Sequence, residues 1–227
     1  MAEMSLDLSG KVALVTGGSR GLGKAIAMAM AGKGADVVIC GRKQENLDKA
    51  IADFRQTGLD AMARVANVGK SDQVENLFQA IEKRFGKLDI LVNNVGMNIL
   101  TPSVVEAEEG LWDKTMETNL KGTFLCSSRA VNLMRNTGRG KIINISTGAA
   151  VKAIEGWSAY CAAKAGLAHF TRVLAQEEAG ITAVSLRPGV VDTDMQARIR
   201  EKGPEGMPAD RVDYFRRLKS EGKLEPP

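Results

Sequence analysis

Tyr160 and Lys164 stand four residues apart in a segment whose apolar residues recur at helical spacing. On a helix that interval stacks the two side chains on one face. A phenol ordinarily holds its proton up to about pH 10, too high for proton traffic at neutrality. A cation within about 4–6 Å lowers such a value by about 1–3 units. The pair therefore reads as a proton donor and acceptor with its own tuning charge, suited to a carbonyl oxygen as negative charge develops on it. Tyr-x-x-x-Lys recurs by accident in many chains. Here it follows a strand-like run (140–146), on the edge where a second cluster is expected.

That cluster is Thr16-Gly17-Gly18-Ser19-Arg20-Gly21-Leu22-Gly23, between a strand-like run (11–16) and a helical pattern (22–33). Gly17 suits the reversal, Gly21 lets backbone approach a pyrophosphate, and Gly23 lets the helix pack close to the sheet. The helix N-terminus offers free N–H groups to phosphates. Ser19 and Leu22 complete the loop and are expected beside the dinucleotide. The second run ends Cys40-Gly41-Arg42-Lys43, without the carboxylate that would hold the ribose 2′-OH of NAD(H). Arg20 and Arg42 are instead placed to hold a 2′-phosphate, which makes NADP(H) the expected cofactor. The plainer alternative is a pair of surface arginines. Asn67 is expected at the adenine edge, with Val68 against the ring. Asn94 is expected at the cofactor, with Gly96 leaving room for the adenine-side ribose.

Positioning these residues requires a regular scaffold. Six short β-branched runs (11–16, 35–41, 62–67, 88–94, 140–146, 181–188) alternate with helical patterns, notably 22–33, 72–85, 111–135 and 158–178. Strand–helix alternation of this kind predicts an α/β fold: a doubly wound parallel sheet, the Rossmann fold, with helices on both faces. With neither repeat nor linker, residues 1–227 read as a single dinucleotide-binding and catalytic domain. Residues 190–222 form its substrate loop and helical region.

Composition excludes several other classes. The net charge is +4, yet aromatics are 4% and no dense basic run occurs, so nucleic acid is not expected as a partner. No apolar stretch is long enough to span a bilayer, no N-terminal leader pattern is seen, and the three cysteines lack a C-x-x-C pair. Those features predict a cytoplasmic protein with free thiols, away from membranes. One histidine, His169, leaves no room for a multi-histidine metal site, and a Ser-His-Asp triad could only be built around it. No metal is expected.

TGGSRGLG (16–23), NNVG (93–96), Asn119 within METNLKGTF, INIST (143–147), YCAAK (160–164) and PGVVDT (188–193) follow one another in order. This constellation resembles the short-chain dehydrogenase/reductase family, over roughly Lys11 to Met195. The resemblance implies that Tyr160 is the general acid/base and that Lys164 tunes it and holds the nicotinamide ribose. It implies that Asn119 supports a proton-relay water through its backbone, and that Pro188, Gly189, Val191 and Thr193 cover the nicotinamide. The family's substrate-orienting serine falls 13 residues before the tyrosine, at Thr147. Ser146 beside it faces the other way on a strand. Either Thr147 replaces the serine, or a shifted turn re-aims Ser146, or the chain reacts poorly.

Segments 156–165 and 190–201 look like sepiapterin and benzil reductases, and 41–50 like NADPH-dependent carbonyl reductases. The implied substrate is a small carbonyl compound. Alternatives are a non-catalytic nucleotide-binding scaffold and a 3-ketoacyl-thioester or polyol-type enzyme. The resemblance also implies a homodimer or homotetramer paired through helices 111–135 and 158–178. Family members continue into a last helix and strand, so an exposed sheet edge is expected here. Trp157 reads either as a wall for an aromatic substrate or as core.

Overall fold

In the computed structural model, which describes residues 6–100 and 103–227, the six β-branched runs become six strands. They are β1 (Val12–Thr16), β2 (Asp36–Gly41), β3 (Met62–Val65), β4 (Ile90–Asn93), β5 (Gly140–Ile145) and β6 (Ile181–Leu186). Residues 1–5, where a leader would begin, lie outside the description. All pairings are parallel, in the order β3-β2-β1-β4-β5-β6. The order reverses between β1 and β4, so their C-terminal ends border the crevice where such sheets bind ligands.

Every residue of β1 is buried, because the sheet is covered on both faces. Val12 and Leu14 face one core, built with α3 (Ser71–Phe85), α5 (Gly122–Arg135) and α6 (Ser158–Glu177). Ala13 and Val15 face the other, built with α1 (Gly21–Ala31) and α2 (Gln44–Gln56). The strand–helix alternation expects a helix at α2 without giving it bounds. Its inward face, Leu47, Ala50 and Phe54, carries helical spacing in an otherwise polar stretch.

The pattern over 111–135 is not one uniform helix. It runs as α4 (Glu109–Met116), a π-helical segment (Glu117–Lys121) and α5. Such a widened turn needs a local reason to persist. The buried amide of Asn119 supplies one: it donates to the carbonyls of Met97 (2.8 Å) and Thr115 (2.9 Å), and its oxygen accepts from the Met97 N–H (3.0 Å).

After β6 the chain folds back as α7 (Asp194–Lys202) and α8 (Ala209–Ser220). Val184 and Leu186 on β6 are roughly half exposed, as expected of an edge. A single parallel bridge, Val191 to Glu225, braces the loop that leaves it.

Candidate active site

At the nucleotide end, backbone geometry dominates. Gly17 turns through φ +66°, and its N–H donates to the Cys40 carbonyl at 2.9 Å, seating the loop on β2. A Cβ on Gly23 would lie 2.4 Å from both the Gly17 oxygen and Asn94 Nδ2, so only glycine allows this approach of helix to loop. The N-terminus of α1 has no side-chain cap and no acidic residue in its first turn. Its unpaired N–H groups therefore remain free for a diphosphate, and the cradle fits a dinucleotide. Ser19 Oγ lies 3.4 Å from the Cβ position of Gly41, beside Arg42, which is exposed at the end of β2. Arg20, over the same edge, pairs with Asp194 at 2.6 Å. Leu22 is half-buried against the α1–α2 core.

Three residues of this end have neighbours that spacing alone does not show. The Val68 side chain is buried and would lie 2.7 Å from a Cβ on Gly122, so it packs against the start of α5. Asn67 turns its own loop, with Oδ1 accepting from the Gly69 N–H (3.1 Å). The Gly96 opening faces the reacting end, with Asn119 Oδ1 at 3.5 Å and Lys164 Nζ and Met195 Cε both at 3.8 Å from its Cβ position. Asn94 acts from behind the loop: its amide donates to the Thr16 (3.0 Å) and Gly17 (3.4 Å) carbonyls.

At the reacting end, α6 brings Tyr160 and Lys164 onto one face, both buried. Lys164 Nζ donates to the Ile145 carbonyl at 2.7 Å and lies 5.9 Å from the Tyr160 ring centre. Burial lowers the ammonium from 10.5 to about 8 and pushes the phenol up to about 12. The expected depression of Tyr160 is therefore absent in the ligand-free chain. Desolvation outweighs the lysine, whose own charge is disfavoured and whose Nζ is turned toward β5.

The desolvation comes from a cover that sequence reading missed apart from Trp157. Trp157 stacks on Phe215 (5.8 Å between ring centres) and meets Tyr160 edge-on (5.7 Å). Ile199, Met207 and Val212 complete that cluster, leaving Tyr160 only 7% exposed. Residues 194–222 are polar overall and their apolar side chains are scattered, which hides such a face from a sequence scan.

Thr147 Oγ1 accepts from the Ala149 N–H at 3.4 Å, capping a short 3₁₀ turn, while Ser146 Oγ is buried without a partner. The Asn98 amide and Gln196 Oε1 are also buried and unpaired. In the covering loop, Gly189 takes φ +84°, Val191 bridges to Glu225, and Thr193 reaches within 3.4 Å of the Cβ position of Gly21. His169 is exposed on α6, and among the described residues no carboxylate, cysteine or histidine cluster could hold a metal. The three cysteines are free thiols, and no helix of the described residues is long and apolar enough to cross a membrane.

The family model for short chain dehydrogenases matches residues 11–204. A short-chain type dehydrogenase/reductase of Picea abies is 40% identical over 83% of this chain and 73% of its own length. A 3-oxoacyl-[acyl-carrier-protein] reductase of Synechocystis is 38% identical over 83% and 77%. Among solved structures, the short chain dehydrogenase/reductase YIR035C of Saccharomyces cerevisiae superposes with a TM-score of 0.89 at 33% identity, over 95% of this chain and 85% of that one.

Proposed function

The chain belongs to the short-chain dehydrogenase/reductase family of oxidoreductases, and from that premise we propose that it moves a hydride between NADP(H) and a ketone or secondary alcohol, principally as a carbonyl reductase. One observation carries the reading: a buried phenol and a buried ammonium lie one helical turn apart, the ammonium beside Gly96, on the same sheet edge as the uncapped glycine loop.

Gly17, Ser19, Gly21, Leu22 and Gly23 would hold the diphosphate, Arg20 and Arg42 the 2′-phosphate, and Lys164 the nicotinamide ribose, with Pro188, Gly189, Val191 and Thr193 over the ring. When bound, the nicotinamide supplies the hydride and, once oxidised, a positive charge beside the phenol. Tyr160, protonated at neutral pH as a phenol ordinarily is and held more firmly so by burial, donates to the carbonyl oxygen as that oxygen becomes an alkoxide. Lys164 then lies near enough to stabilise the phenolate left behind. Thr147 or Ser146 orients the carbonyl, and the buried Asn119 ties the loop after β4, at Met97, to the π-helical segment.

The Trp157–Phe215 cover suits an apolar or aromatic carbonyl substrate. The Synechocystis relative supports a second reading, a 3-ketoacyl thioester. Loss of NADPH absorbance across diketones, aromatic ketones, pterins, polyol-derived ketones and ketoacyl thioesters separates the two. Binding of NADPH without turnover of any carbonyl would favour a non-catalytic scaffold. Homo-oligomers formed through α4, α5 and α6 belong to the same proposal, supported by the apolar outer face of Met116, Leu120 and the half-exposed Phe124.

A further inference from the structure

We infer that Asp194 tunes the preference between NADP(H) and NAD(H), by competing with the 2′-phosphate for Arg20 from the first turn of α7. The inference rests on the phosphate reading of Arg20 given above. Three consecutive residues cross the groove. Thr193 reaches the Gly21 loop, Asp194 Oδ2 lies 2.6 Å from Arg20 Nη1, and Met195 Cε stands near Gly96 at the lysine end. One helical turn thus touches the glycine loop, its arginine and the neighbourhood of Lys164.

The guanidinium fork serves a carboxylate or a phosphate equally well. A 2′-phosphate within bonding reach of Arg20 would meet the Asp194 carboxylate a few ångströms away, and like charges so placed repel. Arg20 cannot satisfy both without cost, so Asp194 weakens binding of the phosphorylated dinucleotide or gives way to it. The pair is built to be displaced: its side chains are 57% and 67% exposed, where ion pairs are weak. Met195 packs against the cluster that covers Tyr160. Release of Asp194 therefore loosens the turn that carries part of that cover.

The test is direct titration of the full chain with NADPH and with NADH, read by cofactor fluorescence, for the parent, Asp194→Asn and Arg20→Gln. Asp194→Asn is expected to tighten NADPH by about two- to fivefold, the scale of one exposed ion pair, and to leave NADH within about twofold. The gain should shrink at high salt. If Asp194→Asn weakens NADPH, the pair is a clasp on bound cofactor and the inference is overturned. Equal effects on both dinucleotides would also overturn it. Arg20→Gln separates this from the parent reading. If it leaves the NADPH/NADH ratio unchanged, the phosphate role of Arg20 fails. If it lowers the ratio while Asp194→Asn changes nothing, that role stands and the inference alone falls.

Discussion

Around the glycine loop, the groups offered to a ligand are backbone N–H donors, held by positive φ at Gly17 and by the close approach at Gly23, with charged side chains exposed at the rim. Around Tyr160, the groups offered are a hydroxyl beneath aromatic and aliphatic side chains from three separate segments and a buried ammonium. The first end is preformed and open to charge. The second is dry and covered, so Tyr160 and Lys164 depart from their ordinary values. The two ends should therefore fail differently when altered.

The largest effect is expected at the covered end. Tyr160→Phe keeps the ring against Trp157 but removes the proton donor, so turnover should fall by about 10²- to 10⁴-fold while the NADPH dissociation constant stays within about twofold. Steady-state rates beside fluorescence titration check this; unchanged turnover would end the proton role.

Gly23→Ala attacks the preformed end. Its Cβ meets the Gly17 carbonyl and the Asn94 amide at 2.4 Å, so the expected cost is about 1–3 kcal/mol of stability. NADPH affinity should fall with it, because the loop must shift. Urea unfolding and titration measure both, and a parental value for each would show that the loop is more yielding than the packing implies.

Lys164→Met sharpens the electrostatic contrast. Lys164 is held at about 8 in the folded chain against 10.5 ordinarily, so between these values the unfolded chain binds more protons and stability rises with pH. The variant lacks that dependence. It should be more stable than the parent by about 1–3 kcal/mol at pH 7, with the gap closing toward pH ~10.5. Unfolding curves across pH 7–10 decide it, and a constant gap would mean that the ammonium is not desolvated.

The smallest effect belongs to the exposed rim. Arg42→Asp should move the NADPH/NADH preference toward NADH by about tenfold, since one charge-assisted contact is lost and a carboxylate is gained for a 2′-OH. An unchanged ratio would leave Arg42 a surface arginine.

Local regularities made much of this legible in the residues alone. β-branched runs at period two, helical spacing between them and glycines at a strand–helix junction reflect rules that act over a few residues. They predicted all six strands, their parallel arrangement and the position of Tyr160 beside Lys164. What acts between distant segments was not legible. The protein neighbours of Gly96 and Val68 could not be read, because burial direction depends on which helix arrives above them. The phenol was expected to be depressed, and instead rises, because residues 199–215 fold back over it and remove water. Likewise Arg20 and Asp194 lie 174 positions apart in the chain, and only the crossing of the post-β6 loop over the β1 turn makes them partners. Sequence determined which groups the protein carries and the local shapes that hold them; tertiary structure decided which are dry, which are already paired and which remain for a ligand, since solvation and Coulomb energy depend on distance through space.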